Sequence, residues 1–173
     1  MDFYTTLMEV IDFRSFSTVW YWMVLAVIWS SASYFVLGVP YDMIQRAKRQ
    51  GGEAQQDLET LVALKVRRLL LIGEVSGLWV MGFACFFLTA LALLGFVYAV
   101  EIAQALFLIF APLSLVGAMA LSTALRIERG ANHGEALHRA LSRQRFGTQV
   151  VGIVAIFVTA MVGMYQNLQL GPL

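Results

Sequence analysis

Residues 69–94 read LLLIGEVSGLWVMGFACFFLTALALL and contain a single charged side chain, Glu74. A helix rises 1.5 Å per residue, so this stretch would extend about 39 Å, which exceeds the roughly 30 Å hydrocarbon core of a bilayer. The stretch therefore predicts a membrane-spanning helix. Glu74 has to be explained, because an ionised carboxylate near the centre of a span costs on the order of 3 kcal/mol.

The whole chain fits the same class of protein. Hydrophobic residues make up 60% of it and charged residues 13%, and the mean hydropathy is +0.74. A soluble domain of this length carries more charge and fewer apolar residues. Three further windows of span length, at 17–37, 102–125 and 147–165, predict an all-α integral membrane protein with four transmembrane helices in one domain, 1–173.

The segment between the second and third spans is very short. Residues 95–101 read GFVYAVE, which leaves room only for a tight reversal. Gly95 and Glu101 are expected to mark its turn. The two spans are therefore predicted to form a membrane hairpin.

The basic residues predict the orientation of these spans. Every Lys and Arg except Arg14 falls in one of two loops, 38–68 and 126–146. Lysine and arginine near span ends are retained on the cytoplasmic side. Both loops are therefore predicted to be cytoplasmic and both termini periplasmic, and the residues concerned are Arg46, Lys48, Arg49, Lys65, Arg67, Arg68, Arg126, Arg129, Arg139, Arg143 and Arg145.

Apolar periodicity outside the spans predicts further helices. Residues 2–13 read DFYTTLMEVIDF, which fits an amphipathic helix in the outer interface, with a frayed tail as the alternative. Leu58, Val62 and Val66 continue the helical spacing into the second span, so that helix is expected to project from the membrane. Leu137 and Leu141 mark another amphipathic segment before the fourth span. The two cytoplasmic segments are expected to pack on each other.

No constellation of residues in the sequence supports catalysis or cofactor binding. In HGEALH, residues 133–138, the two histidines are five apart, which turns His133 and His138 about 140° from each other on a helix and disfavours a shared metal. Both are interpreted as solvated loop residues. Cys85 is the only cysteine, and no span contains the histidine or lysine that haem or retinal would require. The sequence predicts neither an enzyme nor a bound metal or cofactor.

Small residues at helical spacing occur in three of the spans. They allow helix backbones to approach closely, either within the bundle or against a partner. The candidate packing or partner residues are Gly73, Glu74 and Gly77 in the second span, Ser114, Ala118 and Ser122 in the third, and Ala155, Thr159 and Gly163 in the fourth. For Glu74 three interpretations stay open: pairing with a basic residue such as Arg126, proton handling, or contact with a partner or lipid.

Two stretches carry a resemblance that covers most of the chain. Residues 13–44, FRSFSTVWYWMVLAVIWSSASYFVLGVPYDMI, and 76–108, SGLWVMGFACFFLTALALLGFVYAVEIAQALFL, are similar to a family of small inner-membrane proteins of alphaproteobacteria. Members are often labelled a component of the SufBCD complex of iron–sulfur assembly. The resemblance implies four spans and a bacterial inner membrane, and it implies no activity and no functional residues.

These observations favour a non-catalytic accessory or assembly subunit of a larger inner-membrane complex, such as a respiratory or photosynthetic one. The expected protein partner is that larger complex or further copies of this chain in a homo-oligomer. The alternatives are a small transporter or channel that uses Glu74, and a lipid-binding membrane scaffold. Basic side chains near the span ends are expected to contact anionic lipid or a partner rather than nucleic acid. The residues are Arg46, Lys48, Arg49, Arg67 and Arg68.

Overall fold

A computed structural model of the chain describes residues 19–169, and the helix predicted at 2–13 lies outside that range. The described residues are almost entirely helical. In chain order the elements are α1 (Val19–Tyr34), β1 (Phe35–Val36), β2 (Val39–Pro40), α2 (Tyr41–Gln50), α3 (Gly52–Ala92), a π-helical turn (Leu93–Val97), α4 (Glu101–Glu128) and α5 (Gly134–Gln169).

Among residues 19–169, three helices are long and apolar enough to cross a membrane: Gly52–Val97, Glu101–Glu128 and Gly134–Gln166. They contain the predicted spans at 69–94, 102–125 and 147–165. The helical fold class is confirmed, and these three helices fit the predicted membrane class. The first predicted span, 17–37, corresponds to α1, whose 16 residues extend about 24 Å.

The predicted end of the first span is too late, because a β-hairpin replaces its last residues. Leu37 and Gly38 have φ angles of 54° and 75°, and they connect two short strands in which Val36 pairs with Val39. Positive φ at both central residues is the geometry of a tight two-residue hairpin turn. Pro40 follows, and the residue before a proline disfavours helical geometry.

The predicted reversal at 95–101 is confirmed. The π-helical turn ends α3, and α4 begins at Glu101. Gly95 allows the two helices to meet there, since a Cβ at this position would lie 2.9 Å from the backbone nitrogen of Gln104. The helices α3 and α4 are therefore antiparallel neighbours from this turn onwards.

The helix α4 lies in the middle of the bundle. It packs on α3 along one side and on α5 along the other, and α1 lies against α5. Trp29 of α1 fits against Gly152 of α5, where a Cβ would come 2.8 Å from the indole. Together with Ile109 and Ala155, Leu25 and Trp29 form a small buried cluster that joins α1 to α4 and α5.

The larger hydrophobic core lies at the basic ends of the helices. The expected packing of the two amphipathic extensions is confirmed, because Leu58 and Leu137 are both fully buried in it. The short helix α2 covers the same cluster. We call this cluster the cap core, and its members are Val36, Val39, Ile44, Ala47, Leu58, Val62, Val66, Leu70, Ala124, Ile127, Leu137, Ala140 and Leu141.

Candidate functional site

Glu74 lies on an exposed side of α3. Within residues 19–169, its carboxylate takes part in neither a hydrogen bond nor an ion pair, so the pairing with Arg126 that the sequence suggested is not formed there. The reason is direction: Gly73, one residue earlier, is the position that contacts α4. A rotation of 100° turns the next side chain away from that contact.

Two helices independently indicate how far Glu74 lies from the basic end of the apolar region. On α3 it lies six residues beyond Arg68, which is about 9 Å along the axis. Its neighbour Gly73 lies level with Leu121 of α4, whose Cδ1 is 3.6 Å from where a Cβ of Gly73 would be. Leu121 precedes Arg126 by five residues, or about 8 Å. Both helices therefore place Glu74 inside the apolar region, close to its basic end.

The antiparallel pair of α3 and α4 has two faces. An open groove of about 480 Å³ marks one face, where Ile72, Val116 and Ala120 line it. Two residues along an α-helix correspond to a rotation of 200°, so side chains two positions away from these lie nearly opposite the groove. Three of the candidate residues are two positions away from a groove residue and are exposed: Glu74, Ser114 and Ala118.

Gly77 extends the same face of α3, one turn beyond Glu74. Among the residues that the structure describes, no heavy atom lies within 4 Å of a Cβ placed at Gly77, and the same holds for Gly117 on α4. Within residues 19–169, Gly77 is thus not used for close packing, whereas a Cβ at Gly73 would contact Leu121. We call the surface formed by Glu74, Gly77, Ser114 and Ala118 the carboxylate face.

The candidate residues on α5 have the opposite placement. Ala155, Thr159 and Gly163 are all buried, and the Thr159 hydroxyl donates to the Ala155 carbonyl at 2.7 Å. Such a bond back to the helix satisfies the hydroxyl. The small residues of α5 therefore serve packing within the chain, whereas Ser114 and Ala118 of the carboxylate face are exposed.

The five basic residues expected to contact lipid or a partner are all exposed. In α2, Ile44 and Ala47 are buried in the cap core, which turns the basic side chains of this helix outward. These side chains and those at the start of the apolar part of α3 form a cationic rim around the basic end. The rim consists of Arg46, Lys48, Arg49, Arg67 and Arg68.

Arg145 has a structural position that the charge pattern alone does not reveal. Its guanidinium carbon lies 3.4 Å from the ring centroid of Tyr41, and its Nε donates to the Ser33 carbonyl at 3.4 Å. A cation above an aromatic ring is attracted by the ring's electron-rich face. Arg145 thereby ties the end of α1 and the start of α2 to α5.

The two histidines belong to a polar network, and the interpretation of both as solvated loop residues is wrong for His138. His133 is exposed, and its Nδ1 lies 2.9 Å from a Glu59 carboxylate oxygen. His138 lies in α5, is partly buried, and donates from Nε2 to the side-chain oxygen of Gln55 at 2.8 Å. Gln55 donates in turn to Glu59 at 2.6 Å.

Glu59 is the centre of this network and lies outside the apolar stretch of α3. It accepts the backbone N–H of Gly134, the first residue of α5, at 2.9 Å. That bond, followed by those from Gln55 and His133, lowers the pKa of Glu59 to about 2. A carboxylate at this position accepts a hydrogen bond from an N–H group that has no acceptor within the helix. Its negative charge is also stabilised by the positive, N-terminal end of the helix dipole.

A second polar contact closes the opposite end of the bundle. The Gln104 side-chain nitrogen donates to the Gly95 carbonyl at 2.6 Å, and its oxygen accepts from Gln166 at 2.7 Å. Gln104 is buried. It therefore joins the π-helical turn, α4 and α5. In the sequence, a polar residue, Gln104, close to a turn that contains Gly95 was the feature that indicated this contact.

Within residues 19–169, no group of three or more His, Cys, Asp or Glu side chains is placed to hold a metal ion. Cys85 is exposed on α3.

Comparison of the chain with known protein families, curated proteins and solved structures finds no match. The function proposed for this chain therefore rests on its own sequence and structure.

Proposed function

We propose that this protein is a non-catalytic accessory or assembly subunit of a larger membrane complex, and that it docks through the carboxylate face. The observation that carries the proposal is the exposed Glu74 in the apolar part of α3. A carboxylate that faces lipid pays the full penalty of an unpaired charge, on the order of 3 kcal/mol. A partner helix that supplies a hydrogen-bond donor or a cation removes that penalty.

The shape of the carboxylate face supports the same proposal. Helices in a membrane associate where small residues let their backbones approach, because the lipid supplies no hydrophobic drive between them. Gly77 offers open space beside Glu74, and on α4 Ala118 is small and exposed at a similar level, with Ser114, also exposed, about one turn deeper. A shallow surface with one acid in it fits a helix that carries a polar or basic side chain.

The membrane setting belongs to the same proposal. We propose four spans, with α1 as the first, in a bacterial inner membrane, and both termini in the periplasm. The clustering of basic residues in two loops supports this orientation. A periplasm-active reporter fused after Leu173 should give signal in intact cells and a cytoplasm-active reporter should stay silent. The reverse pattern would overturn the orientation.

Gly77→Leu is the sharpest test of the docking surface. Within residues 19–169, no atom lies within 4 Å of a Cβ at this position, so we expect the variant to fold and insert normally. Co-purification with the native complex after gentle detergent extraction should fall at least about tenfold, because the leucine separates helices that meet through their backbones. Gly82→Leu is the matched control. Gly82 is also open, but it lies five residues further and about 140° around the helix.

Glu74 itself distinguishes a docking subunit from a transporter. Glu74→Gln keeps hydrogen-bonding capacity and should retain most co-purification, whereas Glu74→Leu should weaken it by roughly five- to a hundredfold, since the partner's polar group loses its acceptor. In liposomes, neither variant should change proton flux. Normal co-purification of Gly77→Leu, together with a flux that disappears in Glu74→Gln, would replace the docking proposal with the transporter.

A further inference from the structure

On the side of the α3–α4 pair opposite the carboxylate face, the groove between α1 and α3 has a distinctive arrangement of charge. Its walls and floor are mainly apolar and include Ala32 of α1, Ile72 of α3, and Val116 and Ala120 of α4, and two polar residues of α5, Gln144 and Thr148, also line it. Lys65 and Arg68 line its basic end. None of the described residues that line the groove is acidic.

The position of the two cations along α3 matches a lipid headgroup. Lys65 and Arg68 immediately precede the apolar stretch that begins at Leu69, which is the level at which phosphates lie in a bilayer. Ile72 and Val116 lie progressively deeper. The groove therefore has a cationic end at the level of the headgroups and a mainly apolar remainder that extends towards the hydrocarbon region.

Lys65 is held at the mouth of the groove by the hairpin. The outer atoms of its side chain, including Nζ, lie 3.7–3.8 Å from where a Cβ of Gly38 would be. Gly38 has a positive φ, and the absence of a side chain there leaves space for the lysine. Within residues 19–169, neither Lys65 nor Arg68 forms an ion pair with a carboxylate.

We propose that this groove is a binding site for one anionic membrane phospholipid, whose phosphate lies between Lys65 and Arg68 and whose acyl chain follows the apolar floor. The charge decides the class of occupant. Two cations without a neighbouring carboxylate favour a headgroup with net negative charge, such as phosphatidylglycerol, over a zwitterionic headgroup that carries its own ammonium. The site is independent of the carboxylate face, so either proposal can fail alone.

Native mass spectrometry of the purified, delipidated full chain in detergent tests this proposal, with dioleoyl phosphatidylglycerol or dioleoyl phosphatidylethanolamine added at equal concentration. One phosphatidylglycerol should bind per chain, in preference to the zwitterionic lipid. The double variant Lys65→Gln, Arg68→Gln should bind it at least about tenfold more weakly, because two charge-assisted contacts are lost. Arg126→Gln, Arg129→Gln removes the same charge from the same end outside the groove and should bind normally.

A second variant tests the apolar part of the site. Ala120→Phe fills the floor of the groove and should reduce phosphatidylglycerol binding, whereas Ile153→Phe, on an exposed side of α5, should not. Three results would overturn the proposal: equal binding of both lipids, equal losses in both double variants, or competition by soluble glycerol phosphate as effective as that by lipid. The last result would identify a site for free phosphate esters.

Discussion

The cap core and the apolar parts of the helices are packed in different ways. In the cap core, Leu58, Val62, Leu137 and Leu141 are almost entirely inaccessible. In the most apolar windows of Gly52–Val97 and Glu101–Glu128, only 11% of the residues are buried. Residues 19–169 thus form one densely packed end and long helix surfaces that these residues leave uncovered.

The difference follows from the solvent at each level. Burying apolar area from water stabilises by about 25 cal/mol per Å², and this drive exists for the part of the cap core outside the predicted spans, such as Leu58 and Leu137. Between helices in lipid it is absent, so association depends on close packing and polar contacts. Exposed helix surfaces in the apolar region are therefore expected for this class of protein. The cap core fixes the positions of the helices relative to one another.

Leu58→Ala should have the largest effect on stability. Removal of a fully buried leucine side chain is expected to lower the free energy of unfolding by 2–5 kcal/mol. Leu115→Ala removes the same atoms from a residue of α4 that is 52% exposed, and it should change stability by about 0.5 kcal/mol or less. Denaturant unfolding of the purified chain in detergent measures both. Equal losses would show that the two regions do not differ in packing.

The cap core could be anticipated from sequence, because Leu58, Val62 and Val66 repeat at helical spacing where the chain is otherwise polar. Apolar spacing is not informative inside the predicted spans, where nearly every residue is apolar. There it does not distinguish side chains that face the bundle from side chains that face away from it. Small residues share this ambiguity: Thr159 and Ser114 look equivalent in sequence, yet one is buried and the other exposed. Only the arrangement of the helices separates packing within the chain from a surface for a partner.

Polar contacts between residues far apart in the chain could also not be predicted from the sequence. Glu59 and Gly134 are 75 residues apart, and nothing local to either residue indicates the other. The hairpin at residues 35–40 is a similar case, because Leu37 occupies a positive φ that is unusual for leucine. Gly38 and Pro40 disfavour a continuing helix, but these two residue types do not specify two paired strands.

Gln104→Leu should have an intermediate effect, at the end of the bundle opposite the cap core. It leaves the Gly95 carbonyl and the Gln166 amide without their partners in a buried setting, which is expected to cost 1–3 kcal/mol. The double variant Gln104→Leu, Gln166→Leu should lose less than the sum of the single losses, since the two side chains share one contact. Strict additivity in denaturant unfolding would show that the contact contributes nothing.

The smallest expected effect belongs to Glu59, and it depends on pH. The pKa of this carboxyl is lowered from 4.5 to about 2 in the folded chain, so its stabilising contribution is present above pH 4.5 and is lost as the pH falls through about 2. Replacing Glu59 by glutamine removes the charge from a contact at the N-terminal start of α5, which is expected to cost about 1 kcal/mol at pH 6.

The difference in thermal stability between the wild-type chain and Glu59→Gln should therefore narrow from pH 6 to pH 2, where the wild-type carboxyl also loses its charge. Glu128→Gln, an exposed position at the end of α4 away from this network, provides the control for general effects of acid. If the stability difference for Glu59→Gln were constant over that range, the charge on Glu59 would not hold the extensions of α3 and α5 together. Apolar burial alone would then account for the cap core.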